Sequence, residues 1–249
     1  MHEHRAINAI LAPGGITPVY QPIMKVDGDT PSLQGFECLA RGPQGTNFED
    51  ATVMFEYVRL KHQEIVVDRA CVVAGLANAP KAQLTLNVHA STLVRDRGFA
   101  DFLCTTATER GLSCDSITIE IIEHAPPWDT DAFIVTLDRL RDVGMRISLD
   151  DIGLGQSNFK MILDVRPDFL KLDRYFVESC HLDRSRQAVI ECVAQLARHF
   201  GAEMVAEGVD CAETVQTLRE MGVRWMQGDW FAKPMTAGEA NAWRPDPSS

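Results

Sequence analysis

A chain of 249 residues, 45% hydrophobic and 24% charged, has the composition of an ordinary globular protein, which excludes collagen-like, disordered and low-complexity readings. Its 35 acidic residues against 24 Lys and Arg give a formal net charge of -11, a balance that argues against gripping the phosphates of a nucleic-acid polymer. An anionic substrate would therefore need the help of metal cations. Seven scattered cysteines without a C-x-x-C spacing fit buried thiols in a reducing compartment, the cytoplasm, better than a disulfide or zinc framework. The most apolar run, 65–79, is broken by Asp68 and Arg69, and the N-terminus has no signal-peptide core, so neither a membrane span nor a secretory leader is expected.

In chain order, strands are predicted at 18–26 and 33–41, around a turn at Gly28 and Pro31, followed by helices at 49–61 and 66–79. From there the pattern alternates. Strands are predicted at 83–89, 117–123, 146–152, 168–173, 203–209 and 225–231, with helices at 96–110, 129–143, 158–165, 185–200 and 212–221 between them. Apolar residues recur every three or four positions in the helices, as in Phe133, Leu137 and Leu140. Gly144, Gly201 and Gly222 each stand just before an apolar strand, as helix-ending glycines do. About eight strands in one β/α rhythm predict an α/β fold, a (β/α)8 TIM-type barrel. The adjacent pair at the start predicts one irregular, antiparallel strand near the N-terminus. No linker divides the chain, so one domain is expected over 1–249, with its core at about 16–240.

The functional signal lies in where polar residues fall on these strands. Asn87, Glu120 and Glu123, Asp150 and Asp151, Lys171 and Asp173, Glu207, and Gln227 all lie towards strand C-terminal ends. Those ends converge on the one face of a barrel where active sites are built. A single acidic residue after a strand is commonly a helix cap or turn former, but six strands doing so together is hard to dismiss. Carboxylates crowded onto one face repel one another unless cations neutralise them. The donors Glu37, Glu120, Asp150, Asp151 and Glu207, with the amide of Asn87, favour a hard cation, Mg²⁺ or Mn²⁺, over zinc. The adjacent pair Asp150-Asp151 suits two metals about 4 Å apart, the arrangement used for displacement at phosphorus. His89 and His124 also sit at strand ends, and isolated histidines there are more often structural than ligands. Trp225, Trp230 and Phe231 read as packing residues.

Taken in order, the motifs resemble the EAL-domain phosphodiesterases of cyclic di-GMP over nearly the whole chain. They are Tyr20-Gln-Pro-Ile, Gly35-Phe-Glu-Cys-Leu-Ala-Arg41, Leu86-Asn87-Val, Ile119-Glu120-Ile-Ile-Glu123, Asp150-Asp151-Ile-Gly-Leu-Gly155, Leu170-Lys171-Leu-Asp173, Val205-Ala-Glu207-Gly-Val, and Gln227-Gly228 followed by Lys233-Pro234. The resemblance implies that Glu37, Asn87, Glu120 and Asp150 hold one metal and that Asp150, Asp151 and Glu207 hold the second, with Mg²⁺ or Mn²⁺ active and Ca²⁺ inhibitory. It implies that Lys171 contacts the nucleophilic water, with Glu207 a base candidate and Gln227 near the second metal. It further implies that Glu123 steadies the loop after Asp151, that Arg41 contacts a substrate phosphate, and that Gln21 and Asp210 lie near the substrate. The implied reaction is hydrolysis of cyclic di-GMP to linear pGpG, carried out by a homodimer and open to a regulatory protein partner.

The sequence departs from the family pattern in three places. Cys38 replaces the alanine of the name-giving motif, a small-for-small change expected to be tolerated. The loop after Asp151 reads Ile152-Gly-Leu-Gly-Gln-Ser in place of Phe-Gly-Thr-Gly-Tyr-Ser, and Asp210 stands where glutamate is usual; a working loop with altered rate or regulation is expected. Two other classes compete with the enzyme. One is a non-catalytic module that binds cyclic di-GMP or a protein partner as a receptor, which usually reveals itself by lost ligands. The other is an enolase-type barrel, which needs a capping domain for which this chain has no room.

Overall fold

The structure is a computed structural model and describes residues 2–28, 30–122, 129–154 and 159–246. Eight strands among these residues close into a barrel in sequence order: β1 (Thr17–Lys25), β2 (Ser32–Arg41), β3 (Leu84–Val88), β4 (Ile117–Ile121), β5 (Arg146–Ile152), β6 (Phe169–Leu172), β7 (Glu203–Ala206) and β8 (Trp225–Met226). The helices are α1 (His2–Leu11), α2 (Ala51–Leu60), α3 (Glu64–Ala77), α4 (Ala90–Arg95), α5 (Phe99–Glu109), α6 (Thr130–Asp142), α7 (Phe159–Val165), α8 (Arg174–Val177), α9 (Arg184–Phe200), α10 (Ala212–Glu220) and α11 (Ala237–Ala242). This is the (β/α)8 barrel the alternation predicts.

A short connection can only reverse a chain, whereas a helical crossover returns it parallel. The turn between β1 and β2 therefore makes them antiparallel, and closure leaves β1 antiparallel to β8 as well, while β2 to β8 run parallel. The predicted irregular strand is β1. Its register sets Gln21 opposite Glu37.

Side chains alternate across each strand. Leu84, Leu86 and Val88 on β3, Ile117, Ile119 and Ile121 on β4, and Ile147 and Leu149 on β5 belong to one core cluster with the helices, including Phe133, Leu137 and Leu140 of α6. The intervening residues face the barrel axis. A separate cluster of Ile10, Met54, Val58 and Val67 joins α1, α2 and α3 beside the barrel.

Several expected strands run too far at their C-terminal ends. β7 ends at Ala206 and β8 at Met226, because the chain leaves the ladder to form the loops of the upper face. Glu207 still donates its backbone N–H to Leu172 at 3.1 Å, which fixes its place above β7. The predicted helix-ending glycines Gly144, Gly201 and Gly222 all have positive φ, as such caps require. Among the described residues, no helix is long and apolar enough to cross a membrane.

Candidate active site

The upper ends of β2 to β8 converge on one lysine. Lys171, on β6, is buried, and its Nζ lies 3.0 Å from Glu37 Oε2 on β2, 2.7 Å from Glu120 Oε1 on β4 and 2.6 Å from Glu207 Oε1 after β7. Amides complete the ring. Asn87 Nδ2 donates to Glu37 Oε1 at 2.8 Å, and Gln227 Nε2 donates to Glu37 Oε2 at 2.8 Å and to Gln21 Oε1 at 3.0 Å. Gln21 Nε2 in turn donates to the Ala232 carbonyl at 3.1 Å. Residues separated by more than a hundred positions in sequence thus form one polar network.

Asp150 and Asp151 reach the same region through an irregularity. In a regular strand, two consecutive side chains point to opposite faces. The β5–β6 register shifts between Leu149 and Ile152, and Asp151 takes a left-handed φ of 52. That break brings adjacent carboxylates into one group with Glu207, in which oxygens of Asp150, Asp151 and Glu207 lie within 4.8 Å of one another. Asp151 donates its backbone N–H to Asp150 Oδ1 at 2.8 Å. In a second group, oxygens of Glu37, Glu120 and Glu207 likewise lie within 4.8 Å of one another, so Glu207 belongs to both.

The electrostatics ask for cations. Burial first, then the charge of Glu37, raises the Glu120 carboxyl well above the usual carboxylate range. Burial pushes Glu207 up to about 8 and Asp150 up to about 6, in each case against the pull of Lys171 and with the help of neighbouring carboxylates. Glu37 moves the other way. Its burial is outweighed by Lys171 and by the amides of Asn87 and Gln227, which hold it below its ordinary value. One lysine cannot neutralise this many acids. Glu120 Oε2 is moreover buried without a hydrogen-bond partner, an orphan acceptor of the kind a bound cation satisfies. With an all-oxygen donor set, the residues fit one or two hard divalent ions.

Other predicted residues lie at varying distances from this centre. Arg41 closes β2, and its Nη1 donates to the Ala40 carbonyl at 3.0 Å. Asp210 is exposed on the loop before α10, where it accepts from Thr214 Oγ1 at 3.5 Å, and no ion pair or hydrogen bond joins it to the cluster among the described residues. Glu123, His124 and residues 155–158 of the loop after Asp151 lie outside the described residues. Asp173 is a helix cap, accepting from the backbone N–H of Tyr175 at 2.7 Å at the start of α8. His89 is a structural residue. Its Nδ1 lies 2.8 Å from Asp68 Oδ1, and the other carboxylate oxygen accepts from the His89 backbone N–H and from Thr92 Oγ1.

Sequence reasoning missed the wall beside the acids. Thr52, Phe55, Glu56 and Arg59 of α2 line a cavity of about 180 Å³ together with His89, Asp150 and Asp151. Their spacing is i, i+3, i+4 and i+7, one helical face of mixed polarity, whereas the core face carries Met54 and Val58. That stripe was present in the sequence and carried no family motif to draw attention to it.

The sequence profile of the EAL domain matches residues 4–234. The chain belongs to the EAL domain family. Among curated relatives, this EAL domain is 32% identical over 234 residues to an uncharacterized protein, Rv1354c of Mycobacterium tuberculosis, covering 89% of the chain and 37% of the relative. It is 30% identical over 244 residues to the probable cyclic di-GMP phosphodiesterase PdeG of Escherichia coli, covering 93% of the chain and 46% of the relative. The chain thus spans less than half the length of these curated relatives. Among solved structures, it superposes on Klebsiella pneumoniae BlrP1 in a manganese and cyclic di-GMP complex with a TM-score of 0.78 at 27% identity, covering 91% of this chain and 57% of that one. BlrP1 has also been solved in a calcium complex with the dinucleotide.

Proposed function

We propose that this EAL domain is a metal-dependent phosphodiesterase that hydrolyses cyclic di-GMP to linear pGpG in the cytoplasm. The observation that carries the reading is the pair of acidic groups sharing Glu207 around one buried lysine, with no residue of the family's metal and lysine set replaced. Relatives named as phosphodiesterases and a neighbour bound to cyclic di-GMP with manganese support the same substrate and cofactor class.

In this reading Glu37, Asn87, Glu120 and Asp150 hold one divalent ion, and Asp150, Asp151 and Glu207 hold the other, with Mg²⁺ or Mn²⁺ active and Ca²⁺ inhibitory. When bound, the ions neutralise the phosphodiester charge and lower the pKa of water. The protein's own groups do the rest. Lys171 places a fixed positive charge beside the attacking water. Glu207, adjacent to Lys171, accepts the proton that water gives up as its oxygen bonds to phosphorus and the ribose oxygen leaves. Gln227 fixes Glu37 through the bond described above and links it to Gln21. Arg41, with a planar fork of donors, takes a phosphate oxygen pair, while the family resemblance assigns Asp210 to the substrate and Glu123, outside the described residues, to the support of the loop after Asp151. The active unit is a homodimer that accepts a regulatory protein partner, each protomer contributing a single barrel domain.

The test is direct. Purified protein with Mg²⁺ or Mn²⁺ is incubated with cyclic di-GMP and the products are separated by chromatography, pGpG being expected from wild type and none from Glu37→Ala. Protein that binds the dinucleotide with metal present yet forms no product overturns the enzyme in favour of a receptor.

A further inference from the structure

Two cysteines meet at the lower end of the barrel, away from the acidic cluster. Cys104 lies on α5, and Cys114 opens a single turn of 3-10 helix, Cys114–Ser116, that leads directly into β4. Glu120 is the fourth of the five residues of that strand, so the pair and the carboxylate stand at opposite ends of it. The two sulfurs are 2.6 Å apart. Uncharged heavy atoms ordinarily rest roughly 3.5–4.0 Å apart, whereas a disulfide bond is about 2.05 Å long, so closure asks for a movement of only about half an ångström.

The backbone builds this contact. At the end of α5 the Arg110 N–H donates to the Ala107 carbonyl at 3.0 Å, Gly111 reverses the chain at a φ of 72, and the Leu112 N–H returns to the same carbonyl at 3.0 Å. Thr108 Oγ1 donates to the Cys104 carbonyl at 2.8 Å. On the other side, the N–H and Oγ of Ser116 both donate to the Ser113 carbonyl, at 3.0 and 2.6 Å. Cys104, Leu112 and Cys114 all pack against the main core. The sulfurs are thus held together by fixed elements, the arrangement that turns an encounter of two groups into an intramolecular step. Both thiols are partly exposed, whereas those of Cys38 and Cys180 are buried. Burial, then the hydrogen bond with Cys104, pushes the Cys114 thiol up to about 11. A thiol that basic is a poor leaving group, so a disulfide containing it is reduced slowly.

We propose that Cys104 and Cys114 are a redox site at which a peroxide forms a reversible disulfide that staples α5 to β4. One sulfur, as its thiolate, attacks a peroxide oxygen; the O–O bond breaks, the other oxygen leaves as water once protonated, and a sulfenic acid remains. The second sulfur then attacks the first, the S–O bond breaks, and hydroxide leaves as water with the proton of the second thiol. Two thiols and one hydrogen peroxide give one disulfide and two waters, two electrons passing from sulfur to oxygen. A dithiol reductant returns both thiols. In a reducing compartment the thiols are the resting form and the disulfide appears only under oxidant. The bond closes a loop between positions ten apart and so restricts the unfolded chain. It also anchors β4, which pairs with β3 and β5, the strands that carry Asn87 and Asp150. Any benefit to the metal site rests on the phosphodiesterase reading, whereas the cross-link does not.

The test uses the whole 249-residue chain, reduced, desalted, treated with stoichiometric hydrogen peroxide and digested with trypsin without reductant. Cleavage at Arg110 places the two cysteines on peptides 98–110 and 111–139, so the cross-link is read by mass spectrometry as one joined species, lighter by two hydrogens than the two peptides together. That species is expected from the oxidised protein and is lost on adding dithiothreitol. The oxidised protein is expected to melt about 5 °C or more above the reduced one, a rise absent from Cys104→Ser and Cys114→Ser. The peptide measurement needs only the wild-type chain, so it decides the matter even where a serine variant folds poorly. Recovery of the two peptides unjoined, whether as thiols or as singly oxidised acids, overturns the proposal. Either cysteine joined instead to the exposed Cys192, or an equal rise in melting temperature for Cys104→Ser, overturns it as well.

Discussion

Lys171 Nζ and Glu207 Oε1 are joined by a 2.6 Å ion pair, the shortest of the three contacts through which one buried ammonium ties β2, β4 and β7 together. Burial alone would lower the lysine's pKa, but Glu120, Glu207 and Glu37 raise it well above its ordinary value. Removing the charge strands several buried carboxylates, a loss of about 3–5 kcal/mol when one partner of a buried pair is deleted. Lys171→Met is therefore expected to melt earlier than wild type without metal and to gain more from Mn²⁺, because cations then supply all the neutralisation. Its turnover should fall by about 100-fold or more, the scale of losing one oriented charge at a reacting centre. Thermal unfolding with and without Mn²⁺, paired with the pGpG assay, checks both, and unchanged turnover would remove Lys171 from the mechanism.

A second expectation concerns pH. Asp150 and Glu207 are raised from 3.8 to about 6 and from 4.5 to about 8. A carboxyl raised on folding contributes stability that is fully present below its unfolded value and is lost as pH rises through its folded value. The metal-free protein should accordingly lose stability from these two groups between about pH 4 and about pH 8. Divalent ions compete with the same protons, so the melting-temperature shift on adding Mn²⁺ should grow across that window. A shift of constant size from pH 5.5 to 8.5, read by calorimetry at fixed Mn²⁺, would be falsifying.

Much of this centre was legible because the barrel converts sequence periodicity into position. A polar residue closing an apolar strand, such as Asn87, Glu120 or Lys171, has only one face to arrive at once the strands are parallel. Asp173 obeys the same pattern and is merely a cap, because its position just before α8 satisfies it locally. What stayed hidden depended on local geometry. The left-handed turn at Asp151 leaves no residue signature, since Asp tolerates that conformation without requiring it. The six-residue α4 was missed because it is shorter than the window over which helical periodicity can be read. The capping box of Thr236 and Glu239 that starts α11 was visible in the sequence as T-x-x-E, but the six-residue helix after it is again too short to show a stripe.

Asp151 permits a separation of ligand from fold. A non-glycine residue in the left-handed region is held there at a cost of about 1–2 kcal/mol, which glycine does not incur. Asp151→Gly should therefore melt no lower than wild type without metal while losing most of the stabilisation that Mn²⁺ confers. Asp151→Val also removes the carboxylate but puts a β-branched side chain at the same φ, and it should be less stable than the glycine variant. Equal Mn²⁺ stabilisation of wild type and Asp151→Gly would exclude Asp151 from the metal site.

Gln227 acts through Glu37. It donates to Glu37 Oε2 and to Gln21 Oε1, so it fixes a carboxylate that is the only member of the cluster with a lowered pKa among those described. Partners that orient a ligand typically change metal affinity by about 10–100-fold when removed. Gln227→Leu should weaken Mn²⁺ binding by that order while leaving the metal-free fold intact, whereas Gln227→Glu adds another acid and should weaken the protein without metal. Calorimetric Mn²⁺ titrations of the three proteins would show an unchanged affinity for Gln227→Leu if the hydrogen bond to Glu37 has no orienting role.

The departure at Cys38 is explained by its neighbour across the β2–α3 interface. A Cβ placed on Gly75 would lie 2.6 Å from Cys38 Sγ, so the larger side chain on β2 is accommodated by the absence of one on α3. The Gly75 carbonyl also accepts the Tyr20 hydroxyl at 2.7 Å, which keeps the helix from backing away. Burial, then the charge of Glu37, pushes the Cys38 thiol up to about 12, so it serves as a small apolar group beside Glu37 and not as a nucleophile. Gly75→Ala should cost about 1–3 kcal/mol through overpacking, offset only in part by the helix preference of alanine. Cys38→Ala alone should cost no more than about 1–2 kcal/mol for the lost sulfur contacts. Combined, the clash disappears and the helical gain remains, so the double variant should cost less than the sum of the two single variants by a coupling of about 1 kcal/mol or more. Chemical denaturation of the four proteins closes the cycle, and strictly additive effects would mean that the two positions do not share the space between β2 and α3.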